Sequence, residues 1–222
     1  MSREEVFEFF EVLAEDGVIV EDGTWAKRYI DRILDPEQAA VAAVEAISDD
    51  EVMVPHAIAT TLAIIKCVPR ATVASVLRTL WLEGGMFSDE PGLVAFVFKA
   101  ALEASTILMT PVEVAALGKL PEHVTVFRGQ LHGDLPEATG MSWTLSEQVA
   151  DWYAAPIPGE TLRGRVLSAI VPRSVLLALF LERGESEVVI DLGSLRDIRV
   201  RSRAGRCDKF PAHLQATKSW FF

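Results

Sequence analysis

Three short stretches decide how the second half of the chain folds: Val124-Thr-Val-Phe-Arg-Gly-Gln130, Gly140-Met-Ser-Trp-Thr-Leu-Ser146 and Glu185-Ser-Glu-Val-Val-Ile-Asp191. Each contains a run of β-branched or aromatic residues, which predicts a strand. Each also carries arginine, hydroxyl or carboxylate side chains that packing alone does not require. In this order, the three stretches predict one shared site for an anionic ligand and for carboxylate chemistry.

Further strands and one helix are predicted around these stretches. The pattern changes at Leu120, and we place the domain boundary there, with a helical domain over residues 1–118 and a second domain over residues 119–222. A helix follows the second stretch to about Ala155, capped by Ser146 or by Thr144 in a Thr-x-x-Glu capping box. Short strands around one helix predict a sandwich-like α+β domain. The additional strand runs are Val166–Val171, Val175–Leu181 (with a short helix as the alternative) and Ile198–Arg201.

The first 118 residues are typical of a bundle of about six or seven helices. Apolar residues recur there at helical spacing, and proline or glycine marks the ends. Three of the predicted helices run over Ala71–Glu83, from Pro91 to about Ala104, and from Pro111 to Gly118. We therefore expect an α+β protein in which a helical bundle precedes the strand-rich domain.

Composition limits the classes of function. The 222 residues carry a formal net charge of −11, and all of it lies in residues 1–110, which hold 19 acidic and 8 basic residues against 13 of each in the remainder. Such an acidic half disfavours nucleic acid or an anionic membrane as its partner. No apolar run approaches the roughly 20 residues of a membrane span, and no signal peptide is visible. Cys67 and Cys207 have no metal-ligand spacing, so we expect reduced thiols, no metal, and a cytoplasmic location.

Taken one at a time, the polar residues have ordinary alternatives. Arg128 offers a rigid fork of donors for phosphate or carboxylate, and Gly129 lets a ligand approach the backbone. Taken alone, however, such an arginine is more often a structural ion-pair residue. On a strand, Ser142 and Thr144 face the same way, as they would on any half-exposed strand. Glu185 and Glu187 would likewise share a face, either as a solvated edge or as two carboxylates that divide acid–base work.

Together, the three stretches resemble the arginine–serine–glutamate class of mono-ADP-ribosyltransferases. The resemblance covers roughly residues 120–195 and rests on Phe-Arg-Gly, then Gly-x-Ser-Trp-Thr before a helix, then Glu-Ser-Glu before an apolar strand. The middle motif reads Ser142-Trp143-Thr144 where Ser-Thr-Ser is commoner, which keeps two hydroxyls on one face. The resemblance implies a split β-sandwich that binds NAD in a cleft, with NAD as co-substrate and no metal.

The resemblance also implies a role for each site residue. Arg128 would hold the phosphate or ribose of NAD, and Gly129 would meet the nicotinamide amide through its backbone. Ser142 would support the catalytic Glu187 and the ribose, with Thr144 bracing the strand. Glu187 would stabilise the positive charge that develops as nicotinamide leaves. Glu185 would orient or deprotonate an arginine acceptor.

Tyr153 and Trp152 are candidates to line the nicotinamide pocket, with core packing as the alternative. Three functions are then open. The first is transfer of ADP-ribose to a protein arginine, the second is hydrolysis of NAD, and the third is a non-catalytic interaction protein with a decayed site.

A basic row near the C-terminus bears on the acceptor. Arg199, Arg201 and Arg203 recur at every second position, so a strand would place them on one face. They either pair with the acidic helical half or dock an acidic macromolecule. The acceptor is therefore expected to be a protein, with nucleic acid left open and no membrane involved.

Overall fold

The computed structural model describes Gln38 and residues 69–82, 91–130, 140–155, 164–195 and 198–201. The chain divides into two compact units, Met1–Thr110 and Pro111–Phe222. The predicted boundary after residue 118 differs from this division by one helix, which belongs to the second unit. Predictions for the other segments, Arg203 among them, lie outside the described residues.

The described part of the first unit is helical, as the sequence pattern predicts. Helix α1 spans Arg70–Leu82, and α2 spans Pro91–Ala101. A single 3-10 turn, Leu102–Ala104, leads into the short helix α3, Ser105–Leu108. The buried side chains of α1 recur at helical spacing: Val73, Val76, Leu77 and Leu80.

Two contacts join these helices to one another. The rings of Trp81 on α1 and Phe98 on α2 meet edge to face with centroids 4.9 Å apart. Arg78 of α1 donates a hydrogen bond of 2.8 Å from Nη1 to the carbonyl of Leu108, at the end of α3. That bond satisfies one of the carbonyls that a helix end leaves open.

The second unit combines two described helices with one six-stranded sheet. Every strand pair is antiparallel, and the strand order is β4-β5-β2-β1-β3-β6. The predicted strands are all present, and the sequence from Leu176 forms a strand, so the helical alternative for it was wrong. The elements are α4 Pro111–Lys119, β1 His123–Gln130, β2 Ser142–Thr144, α5 Glu147–Ala154, β3 Arg165–Pro172, β4 Leu176–Phe180, β5 Glu187–Ile190 and β6 Arg199–Arg201.

The two faces of the sheet pack against different helices. One face carries the main core, which includes Val126, Trp143 and Leu167, and residues of α4 pack against it. Phe127 points to the opposite face, where it packs with Ala150 and Ala154 of α5. The described strands thus form one continuous sheet with a helix on each face. The sequence patterns predicted a sandwich-like arrangement of strands.

Helix α4 is attached to the sheet by a buried acid. Glu113 is 1% exposed, and its Oε1 accepts a hydrogen bond of 2.8 Å from the backbone N–H of Leu181, just past β4. Glu113 lies in the first turn of α4, where its negative charge complements the helix dipole. The structure adds a second role, because the carboxylate also pairs a backbone donor at the end of an edge strand.

Candidate functional site

Strands β1, β2 and β5 are adjacent, and they bring the arginine, serine and glutamate stretches together. Thr144 lies opposite Phe127 of β1 on one side and opposite Glu187 of β5 on the other. Since alternate residues of a strand share a face, Ser142 lies on the same face as Thr144 and Glu187. The intervening Trp143 points the other way into the core. This explains why a tryptophan can stand between the two hydroxyl residues.

The serine holds the glutamate directly. Ser142 donates a hydrogen bond from Oγ to Oε1 of Glu187, with 2.5 Å between the two oxygens. Short O–H···O⁻ bonds of this kind are stronger than bonds between neutral groups. The two residues are diagonal neighbours across β2 and β5, so the sheet register itself sets their separation.

Arg128 completes this cluster from β1. Its Nη1 donates a 2.5 Å hydrogen bond to the carbonyl oxygen of Ser142. Its guanidinium also lies against Gly140, where an added Cβ would stand 2.2 Å from Nη2. The absence of a side chain at Gly140 is therefore what allows the guanidinium to occupy this position.

Burial and charge act on the arginine in opposite directions. Burial lowers the pKa of the Arg128 guanidinium, and the nearby negative charge of Glu187 raises it. An arginine remains protonated under either influence. Among the described residues, the Nε of Arg128 is buried and has no hydrogen-bond partner. The site thus contains a fixed cation whose buried Nε has no partner among the described residues.

Gly129 makes room for a helix. A Cβ on Gly129 would lie 2.2 Å from the carbonyl oxygen of Ala150 and 2.7 Å from Cβ of Tyr153. The sequence argument gave this glycine the purpose of letting a ligand approach. On its side-chain side that space is filled by α5, so close helix packing is the reason for glycine here. A ligand contact through the Gly129 backbone stays a prediction.

Glu185 is held in a turn. Strand β5 begins at Glu187, and Ser186 has a φ of 46°, in the left-handed region. The expectation that Glu185 and Glu187 share a strand face is therefore wrong, because an extended backbone does not continue through Ser186. Glu185 is 6% exposed, and its carbonyl oxygen accepts a 2.5 Å hydrogen bond from Oγ1 of Thr144.

Tyr153 provides the side-chain partner of Glu185. Its hydroxyl donates a 2.8 Å hydrogen bond to Oε1 of Glu185. Burial raises the pKa of the Tyr153 phenol, and Glu185 and Glu187 raise it further, while Arg183 opposes them. The phenol consequently stays protonated and acts as a donor. Trp152 is buried, and its ring meets the Tyr153 ring edge to face at 4.8 Å.

The start of α5 distinguishes two predicted caps. Ser146 is the N-cap, and its Oγ accepts a hydrogen bond from the backbone N–H of Val149 at 3.4 Å. The capping-box interpretation of Thr144 was wrong because its Oγ1 is engaged elsewhere. That oxygen donates to Glu185 and accepts from the N–H of Ser146 at 3.0 Å. Thr144 therefore links the helix start to the glutamate turn.

No protein-family model, curated protein or solved structure matches this chain. Within the described ranges, no group of three or more His, Cys, Asp or Glu side chains could hold a metal ion. No single helix in the described part of the chain is long and apolar enough to cross a membrane. Two consecutive helical segments, Val94–Leu108 and Pro111–Lys119, reach that length and composition only when taken together.

Two features of the site were missed at the level of sequence. The contact of Gly140 with Arg128 has no local signal, because it joins two different stretches of the chain. The only sequence signal for the hydrogen bond from Tyr153 to Glu185 is a tyrosine on the helix that follows the serine stretch. The hydroxyl of a buried tyrosine usually has a hydrogen-bond partner. From the sequence, Tyr153 was a candidate to line the nicotinamide pocket, and no hydrogen bond to a glutamate was predicted for it.

Proposed function

We propose that this chain is a mono-ADP-ribosyltransferase that transfers ADP-ribose from NAD to a macromolecular acceptor, a protein arginine in the first instance. The observation that carries the proposal is the hydrogen bond between Ser142 and Glu187, with the Arg128 guanidinium on the carbonyl of the same serine. Arg128 lies 14 positions before Ser142, and Glu187 lies 45 positions after it. The fold thereby brings a cation, a hydroxyl and a carboxylate into one cluster. A finer fold assignment, the split β-sandwich of this enzyme class, is part of the proposal, as is a cytoplasmic location.

The residues present suit a dinucleotide that carries phosphates. The buried Nε of Arg128 needs an acceptor, and phosphate oxygens are strong acceptors for guanidinium donors. The carbonyl of Ser142 already holds Nη1, so the guanidinium is oriented before any ligand binds. Such preorganisation avoids the ordering cost of a long, flexible side chain.

Glu187 is suited to the charge that bond cleavage develops. When the bond between nicotinamide and ribose breaks, the bonding electron pair leaves with nicotinamide and the sugar carbon becomes positive. A carboxylate held by Ser142 on a rigid strand can stabilise that charge without reorganising. Attack by an acceptor nitrogen then forms the new bond, and the nitrogen loses a proton. Glu185 is the neighbouring group that can take it.

The test uses NAD labelled on its adenylate half, together with a cell lysate as the source of acceptors. We expect labelled macromolecules on a gel and a matching release of nicotinamide, both lost in Glu187→Gln. Digestion with protease or nuclease before the gel identifies the class of the acceptor. Nicotinamide release without any label would show an NAD hydrolase. Absence of both activities, with no binding of NAD, would contradict the proposal.

A further inference from the structure

Glu185 is fixed at three points, although it lies outside the regular strand. Ser186 turns the backbone in the left-handed region, Thr144 holds the Glu185 carbonyl at 2.5 Å, and Tyr153 holds Oε1 at 2.8 Å. Only the last of these contacts acts on the carboxylate. Tyr153 is therefore the residue that decides where the Glu185 carboxylate stands.

The tyrosine is itself well placed to act as a fixed donor. Its Cβ would lie 2.7 Å from a Cβ added at Gly129, so α5 rests directly on β1 at this residue. The Trp152 ring packs against its edge. A side chain whose rotamer is fixed by packing can hold a functional group in position more accurately than a mobile one.

The charges around the phenol keep it a donor. Burial, Glu185 and Glu187 all raise the pKa of Tyr153, and only Arg183 lowers it. Among the described residues, no hydrogen bond reaches the second oxygen of Glu185, Oε2. One carboxylate oxygen is thus occupied by the phenol, and the other has no donor from the part of the chain that the structure describes.

We propose that Tyr153 is a positioning residue for the acceptor: by fixing Oε1 of Glu185, it presents Oε2 to the N–H groups of an incoming guanidinium. This inference rests on the proposed transfer activity and deepens it. A guanidinium offers several N–H donors in a fixed plane, so its alignment depends on where a single acceptor oxygen stands. Water has no comparable orientation to satisfy, so NAD hydrolysis depends far less on Tyr153.

The test compares two reactions of the purified full chain. One is transfer of ADP-ribose to a small guanidine compound such as arginine methyl ester, and the other is hydrolysis of NAD without an acceptor. In Tyr153→Phe we expect kcat/KM for the guanidine to fall about tenfold, the effect of losing one hydrogen bond to a charged group. Hydrolysis should fall less than about threefold because water needs no alignment by this bond. Adding Tyr153→Phe to the Glu185→Gln variant should lower the transfer rate by less than about twofold more, since both residues act through one carboxylate.

Ser146→Ala is the matched control on the same helix. It removes the cap of α5 without touching the carboxylate of Glu185. We expect it to lower the melting temperature and to leave the ratio of transfer to hydrolysis as in the wild type. A control that changed this ratio as much as Tyr153→Phe would attribute the effect to helix stability and overturn the inference.

A second readout does not depend on activity. The chain has two tyrosines, Tyr29 and Tyr153, so NMR of protein labelled with carbon-13 at Cζ of tyrosine gives two signals, which Tyr153→Phe assigns. Replacing the charged acceptor in Glu185→Gln should shift the Cζ signal of Tyr153 at neutral pH, because a carboxylate polarises the phenol O–H more strongly than a neutral amide does. The same Cζ signal for Tyr153 in both proteins would show that the hydrogen bond is not formed in solution.

The outcomes separate the two proposals. A wild type that neither cleaves NAD nor labels an acceptor refutes the transferase and this role of Tyr153 with it. In the second case the wild type cleaves NAD, but Tyr153→Phe lowers transfer and hydrolysis equally or lowers neither. That result overturns only the positioning role of Tyr153.

Discussion

The two glutamates are separated by one residue, yet different parts of the fold hold them. Glu187 begins β5, and the register of the sheet places Ser142 against its carboxylate. Glu185 precedes the strand, and a helix on the sheet face supplies the tyrosine that holds it. The Glu187 carboxylate is therefore fixed by strand pairing and the Glu185 carboxylate by helix packing, so different variants can disturb each of them separately.

The largest effect is expected at the carboxylate held by the sheet. Glu187→Gln should lower both NAD cleavage and transfer by on the order of 10²–10³, the usual loss when one preorganised electrostatic group is removed. The assay is nicotinamide release, with circular dichroism to check the fold. Glu182→Gln is the matched control, since Glu182 is an exposed acid in the preceding turn. Wild-type turnover in Glu187→Gln would remove this residue from the mechanism.

Glu185→Gln should separate the two reactions. Transfer to a guanidine acceptor should fall by on the order of 10², because proton abstraction contributes about that much. Hydrolysis of NAD should fall much less, since Glu187 keeps its own hydrogen bond to Ser142. The two rates are measured in parallel on one preparation. Equal losses in both would mean that Glu185 also serves the NAD side, and the contrast between the glutamates would fail.

Two glycines beside Arg128 give a matched pair of alanine variants. Gly140→Ala would meet only the terminal side-chain atoms of Arg128 and displace them from the Ser142 carbonyl, so we expect KM for NAD to rise about tenfold through the loss of one charged hydrogen bond, with little change in the melting temperature. Gly129→Ala instead meets the backbone of α5, and such overpacking costs about 1–3 kcal/mol of stability. Thermal melts and NAD kinetics on both variants check this. Similar behaviour of the two would contradict the different roles assigned to them.

The smallest effect on activity is expected at Thr144. Thr144→Val leaves the Glu185 carbonyl without its donor, which costs about 1–3 kcal/mol in stability for a buried group. The carboxylate keeps its bond to Tyr153, so transfer should fall only about threefold, with hydrolysis nearly unchanged. Thr144→Ser, which restores the hydroxyl, should recover most of both. Failure of serine to recover stability would show that the methyl group carries the effect.

Much of the strand and helix pattern could be predicted because it is local. The run from Val124 alternates toward a core, and the Ser142-Trp143-Thr144 sequence turns its tryptophan into the main core and its hydroxyls to the opposite face of the sheet, as period-two alternation requires. The order of the three polar stretches then sufficed to predict that Arg128, Ser142 and Glu187 meet. The meeting of Ser142 with Glu187 depends only on adjacent strands and their register, whereas Arg128 reaches the carbonyl of Ser142 because Gly140 leaves room for its guanidinium.

The remainder depends on contacts that no local pattern encodes. The φ of Ser186 breaks the expected shared face of Glu185 and Glu187, because period-two alternation holds only where the backbone stays extended. The helix packing that requires a glycine at position 129 was missed because the contact of α5 with β1 is a tertiary contact. Of the two predicted caps of α5, Ser146 is correct and Thr144 is not, because the threonine hydroxyl has a partner distant in sequence.

Calorimetric titration with NAD shows whether Arg128, Ser142 and Glu187 form one site for this dinucleotide. The titration uses Glu187→Gln protein to prevent turnover, alone and with Arg128→Lys. Arg173→Lys is the control, because Arg173 also donates hydrogen bonds to backbone carbonyls. It follows the end of β3, whereas Arg128 of β1 lies opposite Leu167 near the start of β3. We expect Glu187→Gln to bind NAD, Arg128→Lys to weaken binding at least about tenfold, and Arg173→Lys to leave it unchanged. Equal affinity with and without Arg128, or no binding of NAD at all, would contradict the claim.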